Sequence, residues 1–318
     1  MTPSTHDTPL HLSGPLRTPR QMLASQEYDG HVSIHDDSMA QDLGFSGAPI
    51  EGPTHFSQFV PLLHGLWGET WFETGCLSAH FRNMVVEGEE VRAFVELAEE
   101  GAREAVIGAD KADGAEVLRG TASIGPEHPE SELERRLASL RPPGVLVILA
   151  DLRVGQKGAE PELVRMDFDQ PLGEMYPFSL TDKLRVITEL SPWYTAAGGL
   201  GSPWGRPVIP LEMVSVLAQY TSPRAAIAAK GPSIGLFADL EIRMVKGPLF
   251  VGQDYRLERQ IVALSESRRT ESYWVRTSIL DPKRDELLAS LLLNHAVLKD
   301  SYAPYAAEHA RLSGTAGS

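Results

Sequence analysis

The run Ile34-His35-Asp36-Asp37-Ser38 sets an imidazole beside two carboxylates and a hydroxyl. A histidine, with an unperturbed pKa of about 6.5, exchanges protons near neutral pH. A carboxylate such as Asp29 or Asp37 can orient that ring or hold the water it activates. His31 lies four residues before His35, so on a helix the two rings would share a face. No third ligand stands at a recognisable spacing from them, so proton chemistry without a metal or cofactor is expected. Further on, Gly47-Ala48-Pro49-Ile50-Glu51-Gly52-Pro53 leads into Phe56, Phe59, Val60 and Leu63 at helical spacing. Pro53 suits a first helical turn. The N–H of Gly52, at the helix start, is placed to meet a developing oxyanion with help from the helix dipole. His55, three residues on, lines the mouth of such a site or lies on the helix surface.

Each assignment has a plainer competitor. His35, followed by two acids and Ser38, suits the exposed start of a helix. Asp29 and Asp37 are also ordinary loop or N-cap residues. Gly52 also suits a close approach of helix backbone to sheet. Trp67, Trp71 and Phe72 fit a core or interface cluster better than a substrate platform. Arg268-Arg269, between Glu266 and Glu271, is a solvated strand face that could also serve as a basic rim for phosphates. Cys76 has no His-acid arrangement near it in sequence and is not expected to act as a nucleophile.

The elements that must position these groups occur twice. The Gly47–Pro53 loop returns in outline as Gly205-Arg206-Pro207-Val208-Ile209-Pro210-Leu211, an offset of 205 − 47 = 158, followed by Met213, Val216, Leu217 and Tyr220 at helical spacing. Downstream, Val91, Ala93, Val95 and Leu97 share one strand face, and Tyr255, Leu257, Arg259 and Ile261 repeat it. The glycines opening these two runs differ by 252 − 88 = 164. One small insertion reconciles the offsets, so the chain reads as a duplication. Strands are predicted at Glu104–Gly108, Val117–Ile124, Glu271–Leu280 and Leu288–Leu298. A long helix followed by antiparallel strands is an α+β order. The boundaries are a first unit over 1–128, a linker over 129–144, a second unit over 145–311 and a disordered tail over 312–318. A charged Glu130–Arg136 helix between breakers makes the linker.

Length and composition agree. The chain has 318 residues, 42% apolar and 23% charged, enough for two packed cores. Its 43 acidic and 29 basic residues give a formal charge of −14, the wrong sign for a nucleic-acid partner. One cysteine excludes an intramolecular disulfide and suits a reducing compartment. The polar Met1–Pro19 segment has no secretory h-region, and no apolar run reaches membrane-span length. A soluble cytoplasmic protein is expected.

The stretches Ile34–Ala40, Leu43-Gly44-Phe45 and Pro49–Gly52, with Phe81–Glu89 after them, resemble the first half of MaoC-like dehydratases, which include the R-specific enoyl-CoA hydratases. The resemblance implies a double hotdog: two fused units, each a curved antiparallel sheet around a long helix, holding an acyl thioester carried by CoA or a carrier protein. It implies chemistry in one half, with His35 as acid/base and Gly52 as oxyanion donor. Shifting His35 by the loop offset gives 35 + 158 = 193, and Pro192, Trp193 and Tyr194 supply no acid there. Trp193, Tyr194 and Trp204 would then wall the pocket. The family's catalytic Asp stands five residues before its His, where this chain has Gly30, with Val32-Ser33 in place of an Asn-Pro pair. Either a local bulge brings Asp29 into place, or Asp37 or another group supplies the acid, or hydration has been lost. Three functions follow: a hydro-lyase acting on an enoyl or 3-hydroxyacyl thioester, a hotdog thioesterase using one of the spare acids Asp29, Asp36, Asp37 and Glu51, or a non-CoA tailoring or binding protein. Edge strands would be capped by self-association into a homodimer.

Overall fold

The computed structural model describes residues 10–28 and 31–314. Its strands are β1 (Leu10–Ser13), the two-residue strands β2 (Glu27–Tyr28) and β3 (His31–Val32), β4 (Gly75–Phe81), β5 (Val91–Leu97), β6 (Glu104–Lys111), β7 (Glu116–Ile124), β8 (Glu162–Arg165), β9 (Gly235–Met244), β10 (Asp254–Glu266), β11 (Thr270–Asp281) and β12 (Glu286–Leu298). Ten of them form one sheet in the order β1-β5-β6-β7-β4-β9-β12-β11-β10-β8, and β2 pairs with β3 apart from it. From the centre outward, 4-7-6-5-1 on one side answers 9-12-11-10-8 on the other. The two sets meet where β4 pairs antiparallel with β9, Cys76 opposite Arg243 and His80 opposite Asp239. The alternation in sequence sets the curved inner face: Val91, Ala93, Val95 and Leu97 are buried, as are Tyr255, Leu257 and Ile261. Arg259 on that face is accommodated because Glu162 receives it bidentately, at 2.7 and 3.2 Å.

The helices are α1 (Asp37–Asp42), α2 (Val60–Trp67), α3 (Glu69–Thr74), α4 (Glu132–Ala138), α5 (Leu180–Val186), α6 (Ala196–Gly199), α7 (Leu211–Gln219) and α8 (Tyr305–Leu312). A 3₁₀ helix over Gly52–Phe59 runs directly into α2, and together they form the central helix of the first half; α7 is its counterpart. The tighter first part has a chemical cause. Pro61 has no N–H to reach back to Ser57, and the Ser57 carbonyl is taken instead by Val60 at i+3 spacing. Phe56, Phe59 and Leu63 are fully buried, and the 3₁₀ helix packs against α7.

Matching hydrogen bonds fix the register of the repeat. Ile50 N–H donates to Val85 O at 2.6 Å, and Ile209 N–H to Leu249 O at 2.8 Å. The offsets are 209 − 50 = 159 at the helix entrance and 249 − 85 = 164 downstream. The 158 drawn from the Gly47 and Gly205 loops is therefore one residue short at the helix. In the connection between halves, α4 is closed by a Ser131/Glu134 capping box. Leu133, fully buried, seats it against Trp274 and Leu292, and Arg136 Nε reaches Asp239 at 2.8 Å. Helix α8 runs to Leu312, and residues 315–318 of the expected tail lie outside the described residues. Among the described residues no helix is long and apolar enough to cross a membrane.

Candidate active site

His35 sits in the turn between β3 and α1 and is half-buried. Its Nδ1 lies 2.7 Å from the carbonyl oxygen of Pro49. A carbonyl only accepts, so Nδ1 carries the proton and Nε2 is left with its lone pair in the neutral ring. Burial pulls the imidazole down to about 4, against the opposing effect of the Pro49 hydrogen bond, so the ring is neutral at physiological pH. A Gln21 side-chain amide also donates to His35 O and Pro49 O, at 3.1 and 3.2 Å, tying the two segments together. The loop carrying His35 is seated on the other half of the molecule. Ile34 and Ala40 pack with Ile234 and Leu298, joined by Met39, Leu43 and Phe45.

Gly52 opens the central helix, and among the described residues its N–H meets no protein acceptor. Glycine lets the ring of Phe81 lie close: a Cβ there would stand 2.7 Å from Phe81 Cζ and 2.8 Å from Cε2, so a larger residue has to displace the ring. Asp37 is exposed and spends Oδ1 on the N–H of Ala48 at 2.8 Å, which latches the loop that presents Pro49 to His35. Asp36 caps α1 by accepting from Met39 N–H at 2.9 Å. Asp29 lies outside the described residues. His31 belongs to β3, where its backbone pairs with Tyr28, and the helix begins only at Asp37. His31 and His35 therefore do not share a helix face, because the Asp36 cap starts the helix after both.

His55 is not on the exposed surface of the helix. It is 2% exposed, and burial together with the Lys183 charge holds its ring down at about 4. It belongs to a buried polar cluster between the two central helices. Lys183 Nζ lies 2.9 Å from Glu212 Oε1 and donates to Thr54 Oγ1 at 3.3 Å, so α5 and α7 of the second half meet the 3₁₀ helix of the first. Burial raises the Glu212 carboxyl above its ordinary value while Lys183 opposes the shift. Glu51, one residue before Gly52, is also buried, and its carboxyl is lifted to about 7 by burial, with Lys183 opposing and Glu212 reinforcing. Along the same helix, both amide atoms of the buried Gln58 lack a hydrogen-bond partner among the described residues. A crevice of about 270 Å³ runs to Gln58 past Pro61 and Leu62, with the 2.6 Å Arg17–Glu189 ion pair among its lining residues.

Trp193 and Tyr194 form a short 3₁₀ turn with Pro192. Trp193 packs edge-on against His64, Phe72 and Trp204 at centroid separations of 5.0, 5.2 and 5.6 Å, an aromatic seam between the halves. Tyr194 is 1% exposed, and burial followed by the Glu212 charge raises its phenol. The sequence reading passed over Lys183 and Glu212 and counted Glu51 only among spare acids. One signal was available: Glu212 is the sole charge in α7, and Lys183 follows the apolar Leu180 by three residues on one helix face.

No family model matches the chain, and no curated protein matches its sequence. Solved structures do match. A protein of Chloroflexus aurantiacus J-10-fl, described as a MaoC domain dehydratase, superposes with a TM-score of 0.59 at 13% identity, covering 92% of this chain and 95% of its own. A conserved hypothetical protein of Mycobacterium tuberculosis, described as having a double hotdog fold, gives a TM-score of 0.53 at 10% identity, covering 91% and 96%. With its two like-ordered half-sheets joined at β4 and β9 around two central helices, the chain has the double hotdog fold of those proteins.

Proposed function

We propose that the protein is a hydro-lyase acting on an enoyl or 3-hydroxyacyl thioester, with its chemistry in the first unit (1–128) and the second unit (145–311) closing the site. The thioester oxygen is received by the Gly52 N–H, where the helix dipole favours the negative charge of an enolate. The neutral His35 ring takes a proton from water through Nε2 as the water oxygen bonds to the β-carbon. The observation that supports this reading is the 2.7 Å contact of His35 Nδ1 with the carbonyl of Pro49, which leaves Nε2 to accept a proton and ties the ring to a residue three short of Gly52. Asp37 supports it indirectly, through Ala48, as a positioning residue.

The test follows the conjugated absorbance of a short trans-2-enoyl-CoA. Turnover by the wild type and a loss of about 100-fold or more in kcat for His35→Ala are expected. Release of free thiol from the same ester would assign a thioesterase instead, because hydration liberates none. Failure to bind any CoA ester in native mass spectrometry would remove thioesters from the proposal.

A further inference from the structure

Between the carbonyl that anchors His35 and the glycine that opens the helix stands one charged residue, Glu51. Its Cα is no more than about 7 Å from that of Pro49. Glu51 is 9% exposed, and among the described residues no hydrogen bond or ion pair reaches its carboxyl. A largely buried carboxyl that makes no hydrogen bond or ion pair among the described residues has no structural partner there to offset its desolvation, and such groups are candidates for chemistry. Among the described residues, the charged and titratable groups around it are Lys183 of α5, Glu212 of α7 and Tyr176 of the loop after β8, with His55 four residues along the chain. The repeat adds an independent argument. At the 159-residue offset set by the matched hydrogen bonds, His35, Glu51 and Gly52 fall on Tyr194, Pro210 and Leu211. All three groups are thus present together in one half and absent together from the other.

We infer that Glu51 is the second acid/base residue of this site, delivering to the substrate α-carbon the proton that completes hydration. The inference rests on the hydro-lyase reading. As a water proton passes to His35 Nε2, the water oxygen bonds to the β-carbon and the alkene electron pair moves onto the enolate. The Glu51 O–H then breaks to form the α-carbon C–H bond. An imidazolium and a carboxylate remain, and return of one proton from the first to the second restores both. With its carboxyl lifted to about 7 by burial, Glu51 holds the required proton at and below neutrality.

The test compares wild type, Glu51→Gln and Glu51→Asp on crotonyl-CoA from about pH 5 to about pH 9. Glu51→Gln is expected to lose about 100-fold in kcat with KM changed by less than about threefold, and Glu51→Asp to recover part of the loss. The wild-type rate should fall as pH rises through about 7, and the residual rate of the Gln variant should not. A Gln variant within about threefold of wild type overturns the inference and leaves the hydro-lyase reading standing. Should the wild type leave crotonyl-CoA untouched, that reading fails, and carboxyl ¹³C NMR decides the role of Glu51. The Glu51 resonance, identified by its loss in Glu51→Gln, should move when the unreactive thioether S-(2-oxopentyl)-CoA is added; a resonance that stays in place overturns the inference.

Discussion

The chemistry of His35 is set by one acceptor. A side chain held by a carboxylate would be pushed toward imidazolium, whereas the Pro49 carbonyl fixes the tautomer without adding a full charge. Because the ring must be neutral to accept a proton, kcat/KM should fall as pH drops through about 4, not through the 6.5 region of a solvated histidine. A pH–rate profile with its acid limb near 6.5 would show that the ring is not buried in the working enzyme. Glu51 makes the opposite demand on stability. Its folded pKa, about 7, lies above that of the unfolded chain, so the unfolded state loses its proton first as pH rises. Stability is therefore fully present below about pH 4.5 and declines until about pH 7. Over some 2.5 pH units this linkage amounts to about 3 kcal/mol at most. Glu51→Gln should match wild type in urea denaturation near pH 4.5 and exceed it by about 1–3 kcal/mol at pH 8. Equal stabilities at pH 8 would place that carboxyl in water.

At the scale of elements, the entrance to the central helix depends on Gly52 fitting beneath the ring of Phe81. Gly52→Ala forces that ring aside and should cost about 1–3 kcal/mol. In a Phe81→Leu background the same substitution should cost less than half as much, a double-mutant cycle readable by chemical denaturation. The strands were the most legible elements. Val91 through Leu97 and Tyr255 through Ile261 alternate in sequence because one sheet face is buried, and the structure places β5 and β10 there. The loop before α1 was harder. His31 and His35 have helical spacing, but the Asp36 side chain caps the backbone only from Met39 onward, and local hydrogen bonding outweighed the spacing. The coupling of Lys183 to Glu51 was out of reach for a different reason: 132 residues separate them, and only the docking of one half on the other brings the two groups within range of each other.

At the scale of the whole molecule, the two halves are joined in three layers. β4 and β9 make the sheet continuous, α4 crosses the junction on its outer face, and Lys183 links α7 to the first central helix on the inner one. The inner link is the most exposed to failure, because both members of the Lys183–Glu212 pair are nearly inaccessible. Lys183→Met leaves Glu212 buried without its cation and should cost about 3–5 kcal/mol near pH 8. Lys183→Met with Glu212→Leu should recover most of that loss, because no buried charge then lacks a partner. The deficit of the single variant should shrink toward pH 5. Without Lys183 the folded-state pKa of Glu212 rises further above its unfolded value, so protonation relieves the strain earlier as pH falls. Lys183 also lowers Glu51, so its removal should carry the alkaline limb of activity above pH 7 in the same variant. Denaturation and rate profiles would thus move together if one cation serves both halves, while a stability loss with an unmoved alkaline limb would separate Glu51 from the cluster.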